Sequence, residues 1–237
     1  MNQQSDPRNH IFENLKEKIL NFPEQPDIPE SLWQDFLKLR RKLEIFEQVG
    51  YRALPSLKPL LKFLPEPHHS ANILAPFCDY SFLPFVLAYS GYRFFATNEN
   101  CETIFSIRNS MKILDIPQHG HFLCATAATL PFRTYQFDYI VCTYLIQKFP
   151  EPWDVLKELQ RILSKQGTLI IRDFNRKGMK LLQEIRRNEG YPSDIRSVSV
   201  FEVAEFFDRQ ELDVTCQRDE LHSTLVITYP EDFSRGD

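Results

Sequence analysis

The chain has 237 residues, 43% hydrophobic and 25% charged, enough to bury one sizeable core, and no apolar run nears the roughly 18 residues of a membrane span. With a formal net charge of −4 and a pI near 5.9 it offers no basic field to gather a phosphate backbone, so neither nucleic acid nor membrane is expected as a partner. Its five cysteines, Cys78, Cys101, Cys124, Cys142 and Cys216, are odd in number and widely spaced, the pattern of reduced thiols in a cytoplasmic protein.

Taken in chain order, Ile11 to Phe22 and Leu32 to Val49 carry apolar residues at helical spacing. Leu57, Leu60, Leu61 and Leu64 add a short helix, and Glu66 to Ser70 reads as a hinge. Residues 1–70 are thus expected to form a helical extension and 71–237 the main domain. From Ala71 short apolar runs alternate with amphipathic stretches, the mark of βαβ units. Strands are expected at 72–75, 92–96, 121–125, 137–143 and 168–174, with helices at 81–90, 101–114 and 152–164 between them. Helices near 177–187 and 201–210 follow. Two closing strands, 212–218 and 223–229, lie too close together for a parallel crossover and should pair as an antiparallel hairpin. The expected fold is α/β: a Rossmann-like, doubly wound, mostly parallel seven-stranded sheet with that hairpin at its end.

Leu130-Pro131-Phe132, Phe137-Asp138-Tyr139-Ile140-Val141, the helix Leu156 to Leu163, and Gly167-Thr168-Leu169-Ile170-Ile171 follow one another at a telling spacing. Together they resemble class I S-adenosylmethionine-dependent methyltransferases, in particular the small-molecule, type 11-like group. The similarity runs from about Ala71 to Tyr229. It implies an S-adenosylmethionine site over the carboxyl ends of the first strands, with a small-molecule acceptor beside it.

Set against that pattern, the loop after the first strand departs from it. Phe77, Asp79 and Ser81 stand where the family has glycines, and Ala75 replaces an acidic residue; no glycine occurs between Gly50 and Gly91. Seven glycines in 237 residues is less than half the usual share. Asn98 takes the place of the carboxylate that accepts both ribose hydroxyls, which replaces a charge-assisted bond by a neutral one. Thr126, with Ala127 beside it, stands where an acidic residue commonly meets the adenine amino group. The resemblance therefore assigns the cofactor to Ala75, Phe77, Asp79, Asn98, Thr126 and Ala127. It assigns the acceptor to Thr143, Tyr144, Gln147 and Asp173. Gln147 stands where relatives often have histidine, and no catalytic base is named.

Two readings follow. In the first, S-adenosylmethionine binds and a methyl group passes to a small molecule, a displacement that needs mainly positioning. In the second, Phe77 and Tyr80 fill the old cofactor space, and a catalytically inactive descendant serves as a binding, scaffold or regulatory module with a protein partner. A nicotinamide-dependent oxidoreductase would need a glycine fingerprint that this chain lacks. The histidines have no cysteine or carboxylate at zinc-site spacing, so no metal is expected. Cys78 is expected to be a buried, inert thiol. Arg172, Arg176, Lys177, Lys180, Arg186 and Arg187 read as one basic stretch, either a solvated helix face or a surface for an anionic partner.

Overall fold

A computed structural model describes residues 9–23, 27–67, 70–79, 81–117, 119–188, 190 and 198–231. His68 and His69, within the hinge Glu66 to Ser70, and Tyr80 lie outside the described residues. The extension consists of α1 (Asn9–Leu20), α2 (Glu30–Gln48) and a 3-10 helix (Pro55–Phe63) whose tighter winding accommodates the internal Pro59. The main domain runs β1 (Ile73–Ala75), α3 (Leu83–Tyr89), β2 (Phe94–Asn98), α4 (Cys101–Ile113), β3 (Gly120–Cys124) and β4 (Phe137–Thr143). It continues with α5 (Leu145–Lys148), α6 (Trp153–Ile162), β5 (Leu163–Phe174), α7 (Arg176–Asn188), α8 (Val200–Asp208), β6 (Asp213–Arg218) and β7 (His222–Thr228).

The strands form one seven-stranded sheet in the order β3-β2-β1-β4-β5-β7-β6. The first five pair in parallel, while β7 runs antiparallel to both β5 and β6, as the short β6–β7 connection requires. The strand order reverses between β1 and β4, which puts a crevice at their carboxyl ends. Sequence and structure differ at β5, which begins at Leu163 rather than at residue 168. Leu163 already pairs with Phe137, and the register shifts before Thr168 joins Tyr139.

Period-two alternation divides the core into two layers. From β4 and β5, Val141 and Ile170 face one side, where they join Phe36, Leu43, Phe85 and Phe94. Ile140, Leu169 and Ile171 face the other, with Leu156, Leu159 and Phe207 from α6 and α8. The first layer also takes in Phe12, Leu15, Leu39 and Leu57, so the extension's apolar face is buried in the same cluster as the sheet's. Each of these large side chains, fully buried, stabilises the fold by about 1.5–3 kcal/mol. Phe206 and Phe207 are both expected to face inward from the helix at 201–210; Phe207 does so, whereas Phe206 is only half-buried and packs on Trp153.

Local signals set the helix starts. Asn100 accepts the N–H groups of Glu102 and Thr103 ahead of α4, and Ser199 with Glu202 forms a reciprocal capping box on α8. Asn175 accepts from the N–H groups of Lys177 and Gly178 and so starts α7. A Cβ built on Gly178 would lie 2.1 Å from the carbonyl oxygen of Leu221 and 2.6 Å from the Phe174 ring. Backbone cannot retreat as a side chain does. Gly178→Ala should therefore cost about 2–3 kcal/mol in urea unfolding. A loss below about 0.5 kcal/mol would show that α7 does not pack this closely.

One expectation is corrected. Cys101 and Cys124 form a disulfide, with their Cα atoms 5.2 Å apart, while Cys78, Cys142 and Cys216 are free. The cause lies in the pairing of β2 with β3: Cys124 is in register with Asn98, and the chain leaving Asn98 enters α4 at Cys101. Among the described residues, no helix is long and apolar enough to cross a membrane.

Candidate functional site

At the carboxyl edge, the loop after β1 is folded back onto the end of β2. Phe77 adopts a left-handed backbone conformation (φ 59°), as does Phe82 before α3. For a residue with a Cβ this costs about 1–2 kcal/mol, and it is held here by packing. The Phe77 ring is buried in the second core layer and meets Phe149 edge-on at 5.1 Å. The N–H of Cys78 donates to the carbonyl of Thr97 at 2.8 Å, and that of Phe77 faces the Thr97 hydroxyl at 3.5 Å. The Ser81 N–H turns back to Asp79 O at 2.7 Å. These loop donors thus point into the protein. Burial pushes the Cys78 thiol far up, so it is no nucleophile.

Asn98 is 2% exposed and its amide is engaged on both sides. Nδ2 donates to Cys78 O and to Asp79 Oδ1, each at 2.7 Å, and Oδ1 accepts from the Asn100 N–H at 2.8 Å. Asp79 in turn receives Lys148 Nζ at 3.0 and 3.2 Å. An Asn98–Asp79–Lys148 chain therefore ties β2, the β1 loop and α5 together. On the far side, the Ala127 N–H donates to Glu99 at 2.8 Å, and Thr126 is exposed.

Under the extension lies a cavity of about 360 Å³. Of the residues assigned above, Phe77, Asp79, Thr143, Tyr144 and Gln147 line it, and the extension adds Lys42, Phe46, Tyr51 and Ala53. Asp173 instead lines a neighbouring cavity, with Gln147 shared by both. Ala75, Asn98, Thr126 and Ala127 border neither. The fold thus gathers the inner end of the expected cofactor site with the acceptor residues and leaves the adenosine end outside the cavity.

Asp173 is buried and acts as a cap for α5: it accepts the N–H of Ile146 at 2.8 Å, that of Phe174 at 3.0 Å, and the Gln147 amide. Burial raises its carboxyl to about 7, and those two N–H groups only partly offset the effect. α5 itself is missing from the sequence reading, since four residues after a strand give no period to detect.

The sequence also conceals a buried polar chain in the cavity wall. Tyr51 Oη bonds the Tyr144 hydroxyl, Ser56 Oγ at 3.1 Å and His222 Nε2 at 3.0 Å. His222 Nδ1 faces Arg172 at 3.1 Å, and Arg172 also donates to Thr224 at 2.7 Å and to the Asp219 carboxylate. His222 Nδ1 thus stands between a group that only donates, Arg172, and one that only accepts, Asp219 Oδ1 at 3.3 Å, while Nε2 faces the Tyr51 hydroxyl, which can do either. Burial, reinforced by the Arg172 charge, lowers His222 to about 4, in keeping with a neutral ring. Arg172 is thereby separated from the basic stretch read above: it is buried in β5, and the other five residues lie on α7. A charged pair, Arg172-Asp173, inside an apolar strand was the available signal. Burial raises both tyrosines above their ordinary range, so neither hydroxyl is a base near neutral pH. Among the described residues, no cluster of His, Cys, Asp and Glu could hold a metal ion.

Residues 88–171 match the family described as a methyltransferase domain, a stretch that begins beyond the altered loop. A protein from Pyrococcus horikoshii OT3 superposes with a TM-score of 0.61 at 19% identity, over 75% of this chain and 89% of its own. An S-adenosylmethionine-dependent methyltransferase from Aquifex aeolicus gives 0.56 at 16% identity, over 78% and 97%. A TehB-like S-adenosylmethionine-dependent methyltransferase from Corynebacterium glutamicum gives 0.57 at 13%, over 84% and 99%. No curated protein matches the sequence. Sheet order, closing hairpin and these likenesses agree with the resemblance carried by the motifs: the chain has the class I S-adenosylmethionine-dependent methyltransferase fold.

Proposed function

We propose that the chain is a methyltransferase-fold protein that binds a small molecule in the cavity between residues 1–70, acting as a helical cap, and the carboxyl edge of domain 71–237. In this reading it does not hold S-adenosylmethionine as the family does. The observation that carries it is the Asn98–Asp79–Lys148 chain. The side chain in the ribose-binding place has both its donors satisfied within the protein, and the loop that should offer backbone N–H groups has turned them toward Thr97 and Asp79. Opening the site would break these bonds, about 1 kcal/mol each and more for those to the carboxylate, and would expose Phe77.

The methyl-transfer reading is favoured by a different observation, the methyltransferase-domain match over residues 88–171. The two readings divide on one titration. Calorimetry of the full chain with S-adenosylmethionine and S-adenosylhomocysteine should give no binding heat at millimolar ligand. Micromolar binding that is lost in Asn98→Ala would overturn the proposal and restore methyl transfer to a small-molecule acceptor.

A further inference from the structure

We propose that the neighbouring cavity, of about 530 Å³ at the start of α7, binds a phosphate monoester with a small apolar body. This cavity is separate from the one beneath the extension: neither Arg176 nor Arg218, on which binding turns, lines that space. The two arginines reach the second cavity from different elements, since Arg176 opens α7 and Arg218 ends β6. Among the described residues Arg176 has no ion pair and no hydrogen bond. Arg218 touches a ring instead of an anion: its guanidinium lies 4.8 Å from the centre of Phe201. The two carboxylates that follow Arg218 in the chain are already taken, Asp219 by Arg172 and Glu220 by Lys177.

The one acidic side chain in the lining, Asp173, is buried and already accepts the N–H groups of Ile146 and Phe174 and the Gln147 amide. With its carboxyl raised to about 7 it is only partly ionised near neutral pH. Arg176 also stands in the first turn of a helix, with Lys177 beside it and no acidic residue in that turn, where a positive charge opposes the helix dipole by about 0.3–1 kcal/mol. Helix stability does not account for an arginine there. The helix ends themselves are already served, because Asn175 caps α7 and Ser199 caps α8. A guanidinium fork takes phosphate oxygens in pairs, and two forks match the two charges of a phosphate monoester. The rest of the wall is apolar, from Ile146, Phe174, Val198, Val200 and Phe201. Phe201 is 65% exposed, and a ligand's apolar body laid against it would take the ring out of water.

Phenyl phosphate, benzoate and inorganic phosphate, titrated into the full chain by calorimetry at neutral pH, provide the test. Phenyl phosphate should bind at least tenfold more tightly than benzoate, which fills one fork, and at least threefold more tightly than inorganic phosphate, which lacks the apolar body. Arg176→Met and Arg218→Met should each weaken phenyl phosphate at least fivefold, and the two together should abolish binding at millimolar ligand. Both positions are exposed, so an unchanged urea midpoint should report that the variants are folded. Lys180→Met, on α7 but outside the lining, should leave the affinity within twofold. Unchanged binding in the double variant would overturn the proposal. So would a loss in Lys180→Met equal to that in Arg176→Met, which would mean attraction by the whole basic face of α7. Binding of benzoate as tight as that of phenyl phosphate would overturn the phosphate assignment, and no binding of any probe at millimolar concentration would overturn the site itself.

Discussion

Asp173→Asn should be more stable than the parent at pH 8 and less stable at pH 4.5, so that the two stability profiles cross. Asp173 has its folded-state value raised to about 7, against roughly 3.9 in an unfolded chain. The folded state therefore holds a proton that the unfolded state releases. Its contribution is complete below about pH 4 and is lost as pH rises through 7, on the order of 4 kcal/mol at 1.36 kcal/mol per unit. His222 has the opposite sign. Lowered from 6.5 to about 4, it contributes stability above pH 6.5 that is lost as pH falls through 4, on the order of 3 kcal/mol. Between pH 4 and 6.5 the two effects oppose each other and the parent's profile should be nearly flat. The variant removes the Asp173 effect, at a cost of about 1–2 kcal/mol for the N–H group that the new amide cannot accept. What remains is the His222 slope, a decline of about 3 kcal/mol from pH 6.5 to 4. Urea unfolding at half-unit pH steps would reveal it, and parallel profiles for parent and variant would refute the assignment.

The second large effect is expected at Asp219. Its carboxylate pairs with Arg172, whose side chain is only 4% exposed, and its Oδ1 accepts the N–H groups of Leu221 and His222 in the β6–β7 turn. Burial alone would raise the carboxyl, but the Arg172 bond and charge, with the two turn N–H groups, hold it at about 2. Asp219→Ala leaves the buried guanidinium with only neutral acceptors. Breaking a buried pair costs about 3–5 kcal/mol; since Asp219 is 41% exposed, solvent screening reduces the expectation to about 2–3 kcal/mol. Asp219→Asn keeps an acceptor for the turn and should lose about half as much. Equal losses in the two variants would mean that the charge alone, rather than the turn, is what Asp219 supplies, and no loss in Asp219→Asn would mean that the turn alone is.

The parts of this fold that were legible in the sequence are those fixed by local pattern. Phe137 to Thr143 reads as a strand and is one, because alternation and the flanking turns are properties of neighbouring residues. The closing hairpin follows from chain length alone. The start of β5 at Leu163 was missed because the strand emerges directly from the C-cap of α6, with no turn residue to mark the change. In the site, the unusual residues of the β1 loop were visible, but not what they do with their bonds. That Asn98 donates to Asp79 depends on how the loop folds back. The disulfide required the β2–β3 register, and the Tyr51 chain required knowing that an N-terminal tyrosine and a C-terminal histidine meet beneath the same cap.

That last contact has a consequence for how the protein comes into being. Tyr51 and His222 are separated by 171 positions in sequence. At about 5–20 residues per second, a ribosome needs on the order of ten seconds or more after releasing the tyrosine before the histidine exists. Most of the apolar surface that covers Phe36, Leu39, Leu43 and Leu57 is made much sooner, between Ile73 and Ile116, and only Val141, Ile170, Phe174 and Ile185 of that cluster follow. The apolar face of the cap can therefore be covered early, whereas its polar tie through Tyr51 waits for the final strand.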